Sequence, residues 1–432
     1  MTLGRAAGFR ALGDALLLLM LVGCGGAAVP SGSASQQAGV VRATSGGETP
    51  TAVAKASGSA VASAAASAEP VVPASVAPSA AAAPPLRIGL LAPFSGQAAA
   101  FGQEMLKAAQ MALDEANSAG GAGGKRLAID QADDKSDSSS ASAAAQKLAA
   151  DGVAAVIGPA TSASAMAAES ALNEAKLPSI TPAANDPRIT DARLPFLFRA
   201  TGRWDQEAPL LVDYLAKQPV TAKIALVADK SPYGQILDGA MNQALAKASL
   251  SPVADETVDS GTKDFRPLAA RLKQKAPGAV FYGGFAGDGA ALAKSLRAAG
   301  SQAVLVMGDA AEDQSLITSG GDAVEGLVLA YPPDAKQTPS AAGLLDTYRQ
   351  RYGTAASLYA LSTYDSTRLL LDALRRAGST EPDAVRQAIA STRDFTGAYW
   401  GPMSFDAKGD LQAKTYVLWT VRDGKFVTMS SQ

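Results

Sequence analysis

The side chains in this chain that could do chemistry are hydroxyls and carboxylates, because histidine is absent and cysteine occurs once. Without imidazole there is no Ser-His or Cys-His nucleophile and no histidine metal site. A lone thiol supports neither an intrachain disulfide nor a thiolate zinc cluster. One group of hydroxyls stands in Val153-Ala154-Ala155-Val156-Ile157-Gly158-Pro159-Ala160-Thr161-Ser162-Ala163-Ser164. A β-branched run stops at Gly-Pro, and an Ala-rich segment of helical spacing follows to Ala175. The pattern predicts strand, tight turn and helix start. The first backbone N–H groups of a helix have no intrahelical partner and lie at the positive end of its dipole, so they hold a carboxylate without any cationic side chain. Ser162 would add a hydroxyl donor. Thr161 and Ser162 are equally ordinary caps of the helix they open, and this stretch alone leaves both readings open.

The other tempting clusters read as structure. Asp133-Asp134 with Asp137 follows a strand and precedes a helix, where acids turn the chain and favour the helix N-terminus. A hard cation would need six or more oxygens, so no metal is expected. Gly121-Ala122-Gly123-Gly124-Lys125 precedes a strand and lacks the Ser/Thr of a phosphate loop, and Gly287-Asp288-Gly289 reads as a loop. No nucleophile elbow is present, and no residue set puts a general base beside a nucleophile. The chain is therefore not read as an enzyme, and no cofactor is expected. With 38 basic and 40 acidic residues and no Lys/Arg run, nucleic acid is not expected as a partner.

The elements that would position these residues alternate. Strands are predicted at Leu86–Pro93, Arg126–Gln131, Val153–Ile157 and Phe196–Arg199, with helices at Phe101–Ser118 and Ser138–Asp151. The rhythm restarts with helices at Gln206–Ala216, Tyr233–Lys247, Asp264–Lys275 and Asp288–Ala299, and strands at Ala222–Val227, Val253–Val258, Ala279–Tyr282 and Val304–Met307. Such alternation implies parallel sheets with helices on both faces. The last part, with helices at Ala341–Tyr352 and Leu358–Arg376 and strands near Tyr399–Phe405 and Thr415–Val421, is too short for a third unit and is expected to complete the first two. Ligands in open parallel sheets sit beyond the carboxyl ends of strands, so two facing lobes would enclose a site between them.

Ahead of this α/β part lie two segments of different character. Arg5 and Arg10 precede an apolar run, Ala15 to Val22, too short to span a bilayer as a helix. Leu21-Val22-Gly23-Cys24 resembles a bacterial lipobox, which implies a signal peptide over residues 1–23, cleavage before Cys24 and lipidation of that thiol. Gly25 and Gly26 follow the cysteine and leave inner- and outer-membrane anchoring open. Residues 24–85 are nearly all Ala, Ser, Gly, Pro and Val, a composition that cannot offset its ordering entropy and predicts a disordered tether. About 60 flexible residues reach on the order of 40 Å.

The α/β part carries a spaced series: Ile88-Gly89-Leu90-Leu91-Ala92-Pro93-Phe94-Ser95-Gly96, Gln131-Ala132-Asp133-Asp134, Ile157-Gly158-Pro159, Thr181-Pro182-Ala183-Ala184, Asp229-Lys230-Ser231-Pro232-Tyr233-Gly234, Tyr282-Gly283-Gly284 and Gly401-Pro402-Met403-Ser404-Phe405-Asp406-Ala407-Lys408-Gly409-Asp410. From Leu86 to the C-terminus it resembles the leucine/isoleucine/valine-type periplasmic binding proteins. The resemblance implies a type I periplasmic binding protein fold: two Rossmann-like parallel-sheet lobes joined by three crossovers. Lobe I would be residues 86–204 and 333–411, and lobe II residues 205–332 and 412–432.

The resemblance also implies a ligand site. Ser162, the backbone N–H of Ala183 and Asn185 match the positions that hold the α-carboxylate, with Asn185 in place of the usual Thr. Asn185 also suits the turn before Asp186-Pro187. Asp309 matches the acid that meets the ammonium, its other reading being a cap of a helix beginning near Glu312. Tyr233 matches a cleft tyrosine and is otherwise a hydrophobic staple of its own helix. Phe101 and Phe285 stand where Tyr is common and make the cleft wall more apolar. Trp204 adjoins a position often acidic, so either Asp205 supplies that contact one residue on, or Trp204 narrows the pocket. The function this implies is extracytoplasmic capture of an apolar, branched-chain-like amino acid by a monomeric lipoprotein, held to a membrane only through Cys24 in the bacterial envelope, and delivery to an ABC transporter permease. The alternative is a regulatory envelope lipoprotein of the same fold that has lost its small ligand and binds a partner protein.

Overall fold

A strand buried on both faces needs an unbroken apolar run, and Ile224-Ala225-Leu226-Val227-Ala228 is one. Ile224 and Leu226 face one core, while Ala225 and Val227 face another. The computed structural model that displays this describes residues 84–429 apart from 97 and 219–222. The signal peptide, Cys24 and nearly all of the tether expected from the sequence lie outside the described residues.

The first lobe is a five-stranded parallel sheet of Leu86–Ala92 (β1), Leu127–Asp133 (β2), Val156–Ile157 (β3), Ser179–Thr181 (β4) and Leu197–Arg199 (β5), in the order β2-β1-β3-β4-β5. Its helices are Ala99–Ser118 (α1), Ser138–Asp151 (α2), Ser162–Glu174 (α3) and the single turn Arg188–Asp191 (α4). The second lobe pairs Ile224–Asp229 (β6), Ala254–Val258 (β7), Ala279–Gly283 (β8), Val304–Met307 (β9) and Val328–Tyr331 (β10) in parallel. Its helices are Glu207–Ala216 (α5), Pro232–Lys247 (α6), Arg266–Lys275 (α7), Ala286–Ala298 (α8) and Gln314–Gly320 (α9).

The last third of the chain serves both lobes. Pro339–Tyr352 (α10), Leu358–Ala377 (α11) and Pro382–Ala390 (α12) join the core of the first sheet, and Phe395–Gly397 (β11) pairs with Gly401–Met403 (β12). Val417–Arg422 (β13) and Lys425–Thr428 (β14) then extend the second sheet as antiparallel edge strands, giving the order β14-β13-β10-β9-β8-β6-β7. The chain therefore passes between lobes three times: after β5, after β10 and before β13.

Several elements differ from the sequence expectation for physical reasons. The strand predicted near Tyr399 begins at Gly401, because the buried Asp365 of α11 accepts the N–H groups of Ala398, Tyr399 and Trp400 at 2.7, 2.8 and 3.0 Å and takes them out of any ladder. Gly287-Asp288-Gly289 is not a loop but the first turn of α8, where Asp288 accepts the backbone N–H of Gly261 at 2.7 Å. α4, β4, β10, β11, β14 and α12 have no counterpart in the sequence reading. Their runs are short or, in α12, begin at a Pro-Asp pair that reads as a turn.

Candidate functional site

The turn after β3 is built as a donor site. Gly158 adopts φ +111°, and a Cβ there would sit 2.1 Å from the Leu91 carbonyl oxygen, so only glycine allows β3 to end this close to β1. Thr161, in extended conformation, caps α3: its Oγ1 accepts the N–H of Ser164 at 3.2 Å. Ser162 does not cap. Its Oγ accepts the N–H of Asp186 at 3.2 Å, which ties this turn to the loop after β4. No described residue takes the Ser162 hydroxyl hydrogen, so it can be offered to a ligand oxygen. In the second loop Thr181 Oγ1 accepts from Ala184 N at 3.1 Å and only distantly, at 3.5 Å, from Ala183 N, so the Ala183 N–H is poorly satisfied within the protein. Asn185 Nδ2 donates to the Gly202 carbonyl at 2.8 Å and its backbone carbonyl accepts from Trp204 N at 3.1 Å, so it straps the loop to the first crossover with one of its two amide N–H groups.

A buried ionic network holds this loop from behind. Arg199, fully buried, donates through Nη1 to the carbonyls of Ala184 and Asp186 at 3.1 and 2.7 Å and through Nε to Asp410 at 2.8 Å. Asp410 also accepts from Arg203 at 2.8 Å and from Thr190 at 2.8 Å. From α11, Ser362 donates to the Pro182 carbonyl at 2.7 Å. The loop that carries Ala183 is thus set by the first and third crossovers together.

The second lobe offers acceptors. Asp309 follows β9 and is half-buried; Tyr233, at the start of α6, donates its hydroxyl to Asp309 Oδ1 at 2.8 Å and accepts the N–H of Ala310 at 3.1 Å. α9 begins at Gln314 and is capped by Asp313, and α6 is capped by Ser231. Burial pushes the Asp309 carboxyl up to about 6 and holds the Tyr233 phenol well above its ordinary range. Glu207, absent from the sequence reading, lies against them fully buried and accepts the Asp309 N–H at 2.8 Å. Its signal was present: with Leu211 and Leu215 it forms an i, i+4, i+8 stripe, an acid on the apolar face of α5.

Aromatic rings flank these groups. Trp204 and Phe285 lie 5.2 and 5.6 Å from the Tyr233 ring, and Phe101 meets Tyr359 edge-on at 4.6 Å. Phe285 and Tyr359, one from each lobe, are the large hydrophobic residues left exposed among those described, at 48% and 42%. Burial, and after it the Asp309 charge, hold the Tyr359 phenol above its ordinary range. Tyr359 was missed because an aromatic in a helix's first turn reads as core. Both oxygens of Asp205 accept from Arg203, at 2.8 and 2.7 Å, and Trp204 stands beside Tyr233. The acidic cluster at Asp133, Asp134 and Asp137 is turn chemistry, with Asp133 accepting from Phe94 and Lys135 N–H groups at 2.8 and 2.9 Å and Asp137 capping α2.

Two parallel-sheet lobes crossed three times by the chain, with polar groups gathered beyond the strands' carboxyl ends, define a ligand-binding protein of the type I periplasmic class. The periplasmic binding protein family profile matches residues 85–425, and the chain belongs to that family. It is 33% identical over 342 residues to Leu/Ile/Val-binding protein homolog 1 of Brucella abortus (strain 2308), covering 78% of this chain and 92% of that one. To the Leu/Ile/Val-binding protein BraC3 of Rhizobium johnstonii it is 30% identical, covering 79% and 93%. Among solved structures, the branched-chain amino acid transporter substrate-binding protein LivJ of Streptococcus pneumoniae in complex with isoleucine superposes with a TM-score of 0.65 at 27% identity, covering 79% of this chain and 98% of that one. The leucine-binding protein LivK of Thermotoga maritima gives 0.65 at 25%, covering 80% and 98%. The family comprises extracytoplasmic substrate-binding proteins of transporters, not enzymes.

Proposed function

We propose that this protein captures an amino acid with an apolar side chain between its lobes and delivers it to an ABC transporter permease. The observation that carries the reading is the polarity of the two lobes: hydrogen-bond donors at Ser162 and Ala183 in one, an acceptor at Asp309 held by Tyr233 in the other. A zwitterion is the ligand that satisfies both, and closure follows because only the closed form engages both ends. Trp204, Phe285, Phe101 and Tyr359 would shape the apolar part, with the second N–H of Asn185 adding to the carboxylate contact. The names of the relatives support a branched-chain side chain. Lobe I comprises residues 86–204 and 333–411 and lobe II residues 205–332 and 412–432, and the molecule acts as a monomer tethered through a lipid on Cys24.

The test is a thermal-shift screen of the full chain against the amino acids, short amides and urea. A ligand at 100 times its dissociation constant stabilises the folded form by about 2.7 kcal/mol. A rise in melting temperature with leucine, isoleucine or valine is the expected result. No shift with any amino acid, in protein freed of carried-over ligand, would overturn the reading and favour a regulatory lipoprotein that binds a partner protein.

A further inference from the structure

Glu207 is an unusual residue to find in a fully buried position. Its Oε2 accepts the Asp309 N–H, while Oε1 has no hydrogen-bond partner among the described residues. It meets Asp309 through that backbone N–H, and Asp309 Oδ1 in turn accepts the Tyr233 hydroxyl at 2.8 Å, so the two carboxyls share one pocket. Gly308 permits the approach, because a Cβ there would come within 2.5 Å of Glu207 Oε2 and 2.4 Å of the Tyr233 hydroxyl. Two carboxyls enclosed in one buried pocket do not both ionise readily without a cation.

The surroundings supply none. Among the described residues neither carboxyl enters an ion pair, and the guanidinium groups of this region, Arg199 and Arg203, are taken by Asp410, Asp191 and Asp205. The groups facing the pair from other elements are neutral phenols, Tyr233 of α6, Tyr359 of α11 and Tyr416 ahead of β13, each held protonated chiefly by burial. Asp205 adds negative charge at Glu207, and Glu312, beside Tyr331, is a further acid near Asp309. Burial first, and the Asp309 charge second, hold the Glu207 carboxyl well above the ordinary carboxylate range.

We infer that Glu207 and Asp309 hold one proton between them in the ligand-free protein and release it when a ligand ammonium docks, which makes Glu207 a second determinant of the ligand's cationic end. This rests on the cleft being an amino-acid site. The step is a simple exchange: one carboxyl O–H bond breaks, its proton goes to solvent, and ammonium N–H groups donate to the freed oxygens. A carboxylic acid or neutral amide brings no charge to replace the proton and is rejected. Glu207 acts through the pair and through the Asp309 backbone, so it is a positioning residue whose signature is the proton count.

Two measurements on the full chain test this. Leucine is titrated calorimetrically at pH 7 in phosphate and in Tris, buffers of different ionisation enthalpy. The wild-type heats should differ by the amount that reports release of about one proton, and Glu207→Gln, which keeps the acceptor for Asp309 N–H, should bind leucine without that release. Equal heats in the two buffers for wild type, or equal proton release in wild type and variant, would overturn the inference. The second measurement needs no ligand: the infrared carbonyl absorption of protonated carboxyls at pH 7 should contain a component that is lost in Glu207→Gln and retained in Glu169→Gln, the variant that removes the contribution of another raised acid. Absence of a Glu207-dependent band sinks the proposal whatever leucine does. A band together with no leucine heat would support the shared proton and put the fault in the amino-acid reading.

Discussion

Single hydrogen bonds decide which of the candidate residues can matter to a ligand. Among the described residues the Ser162 hydroxyl is engaged only as an acceptor from Asp186 N–H, so its proton is available to a carboxylate. A hydrogen bond to a charged group contributes about 1.5–3 kcal/mol. Ser162→Ala should therefore weaken amino-acid binding by roughly that amount, about tenfold or more in dissociation constant, while α3 keeps its cap from Thr161. Isothermal titration of the variant checks this, and unchanged affinity would remove Ser162 from the site. Asp205 already spends one acceptor position of each oxygen on Arg203. Asn185 likewise has one amide N–H engaged at Gly202.

Elements set where those bonds can form, and here the sequence was readable to different depths. The alternation of strand and helix, the turn at Gly158-Pro159 and the positions of Ser162, Tyr233 and Asp309 were legible, because local pattern and strand ends fix them. Glu207 and Tyr359 were not, since what gives them a role is a neighbour far along the chain: Asp309 for one, Phe101 for the other. The loop carrying Ala183 depends likewise on Asp410, more than two hundred residues away, through Arg199. Asp410→Ala would leave the buried Arg199 without its counter-charge, and breaking a buried pair in this way costs about 3–5 kcal/mol. Urea unfolding should show a lower midpoint, with the unfolding free energy extrapolated to water reduced to that extent. Ligand affinity should fall as well, as the carbonyls of Ala184 and Asp186 lose their fixed donor. A variant of wild-type stability would mean that the network is not what holds the loop.

At the scale of the whole molecule, the absence of histidine makes proton linkage unusually simple to read. Between pH 5 and 8 an ordinary protein titrates imidazoles, whereas this chain titrates its α-amino group, at the upper end any free Cys24 thiol, and carboxyls displaced upward. Those carboxyls exist. Burial raises Asp309 to about 6, burial and then the charge of Asp186 raise Glu169 to about 7, and Glu207 lies well above its ordinary range. A carboxyl whose folded value exceeds its unfolded one binds more protons when folded. Its stabilising contribution is complete below the unfolded value, near 3.8 for Asp and 4.5 for Glu, and is lost as pH rises through the folded value. The carboxyls displaced downward, such as Asp264 at about 2, act at lower pH and leave this window alone. The ligand-free protein should accordingly melt at a lower temperature at pH 8 than at pH 5, and Glu169→Gln should remove part of the slope. A bound ammonium, by satisfying Asp309 and Glu207 as anions, should flatten it further. A melting temperature that is level or rises across the same range would show that these acids are ionised and accommodated in the ligand-free fold, and the demand for a cation in the cleft would lose its basis.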